Sequence, residues 1–469
     1  MNEFRRTDWR AFAAIGLGTV VVPLDSAVNV AFPAITAAFG VPPSGIQWVI
    51  VCYVIANAAL LLVFGRIGDL FGHLAVFRAG LAISALAFLG SGMAETFEML
   101  LVTRALQGIG AAMVLSCGPA LATAAFSEAQ RVRALGSYAA VLGLAMTIGP
   151  SLGGLLVETW GWSAVFWFRL PIALVALAAS IALPASRHVR PPGRLVAANA
   201  VALAAALGAV LVGISRARYG AVTIAEISAY AAVLLIAILI LRRTRRGTDD
   251  AVITLSIFRN VQLSLVTVTG IMVNLVGFAV MLLAPFYFAR MTSLPVSLAG
   301  LLLAASPFGI VIGGQYAPII TRRLGAPLTA LSGAAIVAVA TAWIGTWHPG
   351  ASITVMAAAA LVHGIGLGLY QVAQLDVSTA ALPPHHRGVA GALVMLTRTF
   401  GVVLAASTLT ALFVYLETGA RDRSSDVAFL VAFQQTFLLA AVGFGTVLVL
   451  SLLVPESWFS RKGSRDKRS

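Results

Sequence analysis

Charged residues are scarce in this chain. Only 10% of its 469 residues are Asp, Glu, Lys or Arg, whereas 60% are hydrophobic and the mean hydropathy is +0.96. A soluble domain carries about a quarter charged residues, so this composition excludes an ordinary soluble protein. The chain has only two cysteines, Cys52 and Cys117, and both lie within apolar stretches, so no disulfide framework is indicated.

Signatures of enzymatic and ATP-driven chemistry are also missing from the sequence. There is no Gly-x4-Gly-Lys-Ser/Thr phosphate-binding loop, no paired catalytic carboxylates, no Ser/His/Asp arrangement and no histidine cluster with metal-ligand spacing. His348, His363, His385 and His386 are scattered, and we interpret the last two as part of a solvated loop. We therefore expect neither an enzyme nor an ATP-driven pump, and we expect no cofactor and no metal site.

Long apolar runs dominate what is present. About fourteen of them occur between residues 11 and 454, each close to the ~20 residues that cross the hydrocarbon core of a bilayer. Because lipid cannot satisfy open sheet edges, uninterrupted apolar segments of this length must be helices. The alternating pattern of a membrane barrel is absent. The sequence therefore predicts an all-α polytopic membrane protein with fourteen transmembrane helices.

Two hydrophilic breaks, at residues 184–194 and 242–259, divide the predicted helices into groups of six, two and six. This division predicts two six-helix bundles and two additional central helices, the parallel repeat of one large transporter class. The predicted boundaries are residues 1–184 for the first bundle, 185–194 for a cytoplasmic linker, 195–241 for the two central helices, 242–260 for a second linker, 261–455 for the second bundle and 456–469 for a basic tail.

The net charge of +14 would suggest a nucleic-acid partner in a soluble chain. Here most basic residues cluster at positions 5–10, 131–133, 187–194, 242–246, 322–323 and 461–468, which all fall on one side if the N-terminus is cytoplasmic. The positive-inside bias then places both termini in the cytoplasm. We expect a multi-pass protein of the cell inner membrane, whose surroundings are the lipid bilayer and not nucleic acid.

Asp25 is a lone carboxylate inside the first apolar run. An ionised Asp at the centre of a bilayer costs roughly 3 kcal/mol on insertion scales, so it marks a candidate functional site. At 1.5 Å per residue, Asp25 lies ~22 Å from the cytoplasmic flank and roughly 8 Å below the outer face. Arg104 on the fourth predicted helix lies ~9 Å below the same face, so the two charges share one level.

Asp25 and Asn29 are four residues apart and Arg104 and Gln107 are three apart, so each pair is predicted to share a helix face. Desolvation and a nearby guanidinium act on a carboxylate in opposite directions, so small geometric changes can load or release a proton. We therefore predict that Asp25 and Arg104 couple transport to protons, with Asn29 and Gln107 in the substrate cavity. The alternative is a fixed buried ion pair that only sets helix register.

Two glycine-containing segments are candidates for gating. Residues 65–73 follow the second predicted helix and contain Gly65, Arg66, Asp69 and Gly72, where glycines permit a tight turn and Asp69 can cap the third helix or hold a cation. Capping alone is the alternative there.

The second segment lies in the fifth predicted helix and contains Gly149, Pro150, Gly153 and Gly154. Small residues at this spacing allow close helix packing, and Pro150 adds a kink. Packing alone is the alternative role for this segment.

Further polar residues lie near or within the expected depth of the membrane. Asn57 in the first half and Asn274, Gln371, Gln374 and Arg398 in the second half are candidates for substrate binding. Gln371 and Gln374 are three residues apart and share a predicted helix face.

In their order along the chain, these segments resemble the major facilitator superfamily, and specifically its fourteen-helix drug:proton antiporter family. The resemblance is carried by residues 24–33, 65–73, 104–110, 143–154, 161–171 and 287–301. The chain departs from the family pattern at His73, where basic residues are usual, at Ala289, where Gln is frequent, and at Arg169, where a small polar residue is commoner. An outward-facing Arg169 is expected to alter the charge preference for substrates.

The resemblance implies a proton-transfer role for Arg104, and the fifth-helix motif implies export. We expect a monomeric proton-coupled antiporter that exports small lipophilic molecules, neutral or monovalent, by alternating access and is driven by the proton motive force. Two alternatives stay open within transport, a proton-coupled importer and a dedicated exporter of one metabolite or lipid. A third, from another class, is a non-transporting membrane receptor or scaffold.

Overall fold

A computed structural model describes residues 9–124, 126, 130–183, 232, 260–381, 387–420, 424–454 and 458, with only the backbone described at positions 62, 66, 131–133, 135 and 387–392. Helices account for nearly all of this. In chain order they are α1 (Trp9–Val20), α2 (Ala27–Val30), α3 (Phe32–Phe39), α4 (Gln47–Phe71), α5 (His73–Gly92), α6 (Phe97–Ala124), α7 (Arg131–Trp160), α8 (Ala164–Trp167), α9 (Arg169–Ile181), α10 (Val261–Met291), α11 (Val296–Leu324), α12 (Ala326–Ile344), α13 (Ile353–Ala380), α14 (Arg387–Leu404), α15 (Thr410–Gly419) and α16 (Ser425–Ser451).

Twelve segments of the described chain are long and apolar enough to cross a membrane. Six of them lie between Trp9 and Ile181 and six between Val261 and Ser451, as the sequence predicts for two groups of six. The chain is thus an all-helical, multi-pass membrane protein. The two central helices predicted at residues 195–241 lie outside the described residues, so the count of fourteen stays a prediction.

The described residues form two compact units. The first contains the residues up to 183 together with Met281–Ala304 and Ala406–Val414, and the second contains residues 260–280, Ala305–Ala405 and those from Tyr415 onward. The C-terminal part of α10, from Met281, and the start of α11 therefore belong to the first unit. The domain boundaries predicted from the sequence stay a prediction.

In the first unit, the first span is not one continuous helix. Its α-helical turns are interrupted by a 3-10 segment, Pro23–Ser26, because Pro23 has no N–H to continue the helix ladder. This segment and α2 pack against α7, while α5 and α6 pack against each other and α4 packs on α6. The interruption places Asp25 inside the bundle.

The segment predicted as a loop after the second helix is shorter than expected. Gly65, Arg66 and Asp69 lie within α4, which continues to Phe71, and Gly72 alone turns the chain into α5. Gly72 has φ of 97°, which is costly for any residue with a Cβ, so this position requires glycine.

In the second unit, α12 packs against α13 and α16, and α13 also contacts α14. Its core contains apolar residues such as Val337, Leu367 and Phe444. The seam between α10 and α13 also buries polar groups: the Tyr370 hydroxyl donates to the Val266 carbonyl at 2.6 Å and lies 2.8 Å from Thr269 Oγ1.

Candidate functional site

Asp25 lies in the 3-10 segment at the break in the first span, held there by glycines of α7. A Cβ at Gly149 would overlap Ser26, and a Cβ at Gly153 would lie 2.8 Å from the Ala27 carbonyl oxygen. The Ser26 hydroxyl donates to the Met146 carbonyl at 3.1 Å. The small residues of α7 thus allow the broken segment to approach closely and fix the position of the neighbouring carboxylate.

Three side chains donate hydrogen bonds to the Asp25 carboxylate. Oδ1 accepts from Arg104 Nη1 at 2.6 Å, from Arg169 Nη1 at 2.7 Å and from Gln107 Nε2 at 2.8 Å. Oδ2 accepts from Arg104 Nη2 at 2.9 Å, so Arg104 binds the carboxylate with both terminal nitrogens. Only 14% of the Asp25 side chain is exposed.

Arg104 is fixed from several directions besides Asp25. Its Nε donates to the Val49 carbonyl at 2.9 Å and its Nη1 to Gln107 Oε1 at 2.7 Å. The Tyr53 ring centroid lies 4.6 Å from the guanidinium carbon. Arg104 is 2% exposed, so it is buried beside Asp25.

Arg169 corrects a prediction from the sequence. Instead of facing outward, it is fully buried at the start of α9, with its guanidinium on Asp25 and its Nε donating to the Val165 carbonyl at 3.0 Å. The rings of Phe88 and Phe166 lie 4.5 Å and 5.4 Å from its guanidinium carbon. Its partner in the interior is the Asp25 carboxylate. The depth and spacing of residues in the sequence had paired this carboxylate with Arg104 alone.

The three ionisable groups therefore form a triad, Asp25 with Arg104 and Arg169, that carries one net positive charge when all three are ionised. Buried charges cost several kcal/mol each in desolvation, which is recovered only with good geometry and complete hydrogen bonding. Breaking such a group by removing one partner costs about 3–5 kcal/mol, more than its presence contributes. The protonation of Asp25 and the positions of the two arginine side chains therefore depend on each other.

The other polar residues predicted in the first bundle are placed differently. Gln107 is 2% exposed and bonds both Asp25 and Arg104, so it belongs to the charged cluster. Asn29 and Asn57 are half-buried. Asn29 does not join Asp25, because the span is broken between them and the spacing of a continuous helix does not apply.

The candidates of the second half differ in burial. Asn274 is buried and donates to the Gly270 carbonyl at 2.7 Å within its own helix, and Gln374 is 1% exposed with its amide against Gly270. Gln371 is half-buried and Arg398 is exposed. Their roles in substrate binding stay predictions.

The gating candidates lie at two places in the first unit. Asp69 is exposed, and its Oδ1 lies 3.3 Å from His73 Nε2 one turn further on. No side chain caps the start of α5, so Asp69 does not perform the capping predicted for it.

The other gating candidates lie on α7. A Cβ at Gly154 would lie 3.0 Å from the Cα of Ser297, and one at Gly300 would lie 2.9 Å from the Cα of Gly154. One turn later the Ser297 N–H donates to the Glu158 carboxylate at 2.7 Å. Pro150 lies within α7. The glycines of α7 thus permit two close backbone contacts, with the segment that holds Asp25 and with the start of α11.

Sequence reasoning did not predict the burial of two ionisable side chains. Arg169 lies nine residues after the end of α7 at Trp160, so the depth argument used for Arg104 would have placed it within roughly 14 Å of that helix end. His363 is fully buried in the second unit, with Nδ1 3.3 Å from Ser306 Oγ and no hydrogen-bond partner at Nε2. No spacing pattern in the sequence distinguishes it from a packing residue.

No metal centre appears in the part of the chain that the structure describes, where no three His, Cys, Asp or Glu side chains lie close enough together to hold an ion. At the triad, the Asp25 carboxylate is the group that can accept a proton or exchange one hydrogen-bond donor for another.

The model of the Major Facilitator Superfamily matches residues 15–406. Among curated relatives, the methylenomycin A resistance protein of Streptomyces coelicolor is 30% identical over 89% of this chain and 88% of its own length. The tetracenomycin C resistance and export protein of Streptomyces glaucescens is 27% identical over 88% of this chain and 77% of its length. The riboflavin transporter RibZ of Clostridioides difficile is 24% identical over 92% and 94%.

Two solved structures share the fold. A POT family transporter in complex with 5-aminolevulinic acid aligns over 96% of both chains with a TM-score of 0.71 and 11% identity. A bacterial homolog of the human lysosomal transporter Spinster aligns over 98% of this chain and 99% of its own, with a TM-score of 0.70 and 15% identity. At these identities the likeness extends to the fold alone.

Proposed function

Because the chain belongs to the Major Facilitator Superfamily and is a transporter, we propose that it is a proton-coupled antiporter that exports small lipophilic compounds. The observation that carries the proposal is the Asp25 carboxylate, buried among two arginines inside the first unit. A buried carboxylate can bind a proton in place of a neighbouring arginine side chain. Such a group is suited to couple proton entry to a conformational change.

Alternating access supplies the mechanism, since transporters built from two repeats bind substrate near the midplane and rock the repeats around it. In our proposal Asp25 and Arg104 carry the coupling, the half-buried Asn29 and Asn57 contribute to the substrate path, and the glycines of α7 allow the segment that holds Asp25 to shift. Asn274, Gln371, Gln374 and Arg398 are the corresponding candidates in the second half of the chain.

Export of antibiotics or related metabolites is supported by the resistance proteins among the relatives, of which one is named as an export protein. We place the protein in the inner membrane with both termini in the cytoplasm, as a monomer that uses the proton motive force and no cofactor. Membership in the fourteen-helix drug:proton antiporter family, with two central helices at residues 195–241, is part of the same proposal.

A second candidate is a dedicated carrier of one metabolite, in either direction. The riboflavin transporter among the relatives favours it, because that relative aligns over nearly the whole of both chains. Both candidates use the same coupling site and differ in the substrate and in the direction of transport.

Proteoliposomes with an imposed proton gradient test the proposal, using methylenomycin A, tetracenomycin C and riboflavin as probes. One proton moving through 100 mV supplies ~2.3 kcal/mol, which corresponds to about 50-fold accumulation. We expect wild-type protein to accumulate at least one probe against its gradient, and Asp25→Asn to lose this while still exchanging the probe across the membrane without a gradient. Normal proton-driven accumulation by Asp25→Asn would reject the coupling role.

A further inference from the structure

The Asp25 carboxylate is shared unequally between its two arginines. Arg104 binds both carboxylate oxygens, whereas Arg169 binds only Oδ1, through one nitrogen. Oδ1 accepts three donors, one more than its two lone pairs. The three donors therefore compete for this one oxygen.

Adding a proton to Asp25 changes the charge balance around it. With the carboxylate neutral, Arg104 and Arg169 become two like charges in a buried site without an anion to pair them. An uncompensated buried charge is the most costly arrangement available to an ion group. A proton can therefore be accommodated well only if one of the two guanidiniums leaves Asp25.

Arg169 is the arginine with fewer restraints. Arg104 keeps the Val49 carbonyl and Gln107 Oε1 as acceptors on other groups, which hold it whether or not Asp25 is charged. Arg169 has only the carbonyl of Val165, one turn earlier in its own chain segment. Loss of the Asp25 bond thus frees Arg169 to move but leaves Arg104 in place.

One nitrogen of Arg169 is unused. Its Nη2 is buried and has no hydrogen-bond partner, although a buried guanidinium N–H without an acceptor costs free energy. A second position of the side chain in which Nη2 finds an acceptor would recover that energy. The faces of Phe88 and Phe166 stabilise the cation near its present place by cation–π contact, so withdrawal from Asp25 does not leave it without partners.

We propose that Arg169 is a displaceable counter-ion, a positioning residue that occupies Asp25 while no proton is bound and withdraws when the proton arrives. This inference rests on the proposed proton coupling and adds the residue that competes with the proton. The exchange is balanced: the proton binds a carboxylate oxygen, one N–H···O bond to Asp25 is lost, and no covalent bond of Arg169 changes.

Other groups of the first unit also surround Asp25 and its two arginines. α6 presents Arg104 and the neutral Gln107, α9 presents Arg169, and α7 packs against the segment through Gly149 and Gly153. On α4, the Tyr53 ring lies over the guanidinium of Arg104, and Cys52 is the preceding residue of the same helix.

The direct test is a pH titration of purified protein by difference infrared spectroscopy, which detects the C=O stretch of a protonated carboxyl group. The signal of Asp25 is identified by its absence in Asp25→Asn. In Arg169→Asn the midpoint of this titration should move to higher pH by about 1–3 units, because one of the two cations beside the carboxylate has been removed. Arg169→Lys, which keeps the charge, should restore the midpoint toward that of the wild type.

Arg78→Gln is the matched control. Arg78 is another guanidinium of the same unit that contacts α9, but it donates to the carbonyls of Ser180 and Leu183 and has no described carboxylate partner. Its replacement should leave the midpoint unchanged. Arg169→Asn should fold, since it leaves Asp25 and Arg104 as a neutral pair, and the Lys variant gives an independent reading if it does not.

An unchanged midpoint in Arg169→Asn, or a midpoint in Arg169→Lys that stays at the Asn value, would overturn the inference. Either result leaves the proposed function intact if Asp25→Asn still abolishes proton-driven accumulation. Conversely, normal accumulation by Asp25→Asn would overturn the proposed function, whatever the titration of Asp25 shows.

Discussion

The first unit buries charges and the second buries neutral polar groups. Around Asp25, two guanidiniums and an amide donate to one carboxylate, and all four side chains come from elements of the same unit. Along α10 and α13 of the second unit, the buried polar groups described are all neutral in form: the hydroxyls of Thr269, Tyr370 and Ser378, the amides of Asn274 and Gln374 and the His363 imidazole. We infer that proton coupling resides in the first unit and not in the polar seam of the second, where Asn274 and Gln374 stay candidates for substrate binding.

The largest effect is expected from removing the carboxylate. Asp25→Leu leaves Arg104 and Arg169 buried without an anion, so the free energy of unfolding should fall by about 3–5 kcal/mol, measured by chemical unfolding in detergent micelles. Asp376→Leu, at an exposed carboxylate of α13, is the control and should change stability little. Equal stabilities of the two variants would contradict a charge-paired site in the first unit.

The same substitution at two buried glutamines sharpens the comparison. Gln107 forms hydrogen bonds with both Asp25 and Arg104. Gln107→Leu should therefore lower the free energy of unfolding by about 1.5–3 kcal/mol for each lost bond to a charged group. Gln374 Oε1 is buried with no donor, so Gln374→Leu should be neutral or stabilising by up to about 1–3 kcal/mol. Both are measured by the same unfolding assay, and losses of equal size would remove the distinction between the units.

A smaller effect is expected at the contact that positions Asp25. Gly153→Ala places a methyl group 2.8 Å from the Ala27 carbonyl oxygen, and overpacking of this kind costs typically about 1–3 kcal/mol. Proton-driven accumulation should fall as well, because the segment that holds Asp25 must move away from α7. Gly136→Ala in the same helix is the control, since its Cβ would lie in open space. A Gly153→Ala protein with wild-type stability and accumulation would show that this contact does not position Asp25.

Much of the fold follows from the sequence, since twelve apolar segments in two groups of six lie where hydrophobic length places them. Depth arithmetic also matched Asp25 to Arg104, because rise per residue fixes the level of a side chain in a membrane helix. It could not find the break at Pro23, which turns Asp25 toward Arg169 and separates it from Asn29. Level alone does not specify the direction of a side chain around the helix axis.

Local chain geometry was harder to predict than long-range pairing. The glycines at residues 65–72 indicated a loop, yet only Gly72 has the positive φ that a turn requires, and Gly65 is accommodated in α4. The unpaired buried atoms of Gln374 and His363 are likewise invisible in a sequence, because hydrogen-bond partners depend on which helices pack together.

The most direct test of the central claim is the proton flux evoked by adding a transported probe to proteoliposomes, with Asp25→Asn and Gln374→Leu measured beside the wild type. The account predicts no probe-evoked proton flux for Asp25→Asn and the wild-type number of protons per probe molecule for Gln374→Leu. A wild-type proton count in Asp25→Asn, or loss of the flux only in Gln374→Leu, would contradict the placement of proton coupling in the first unit.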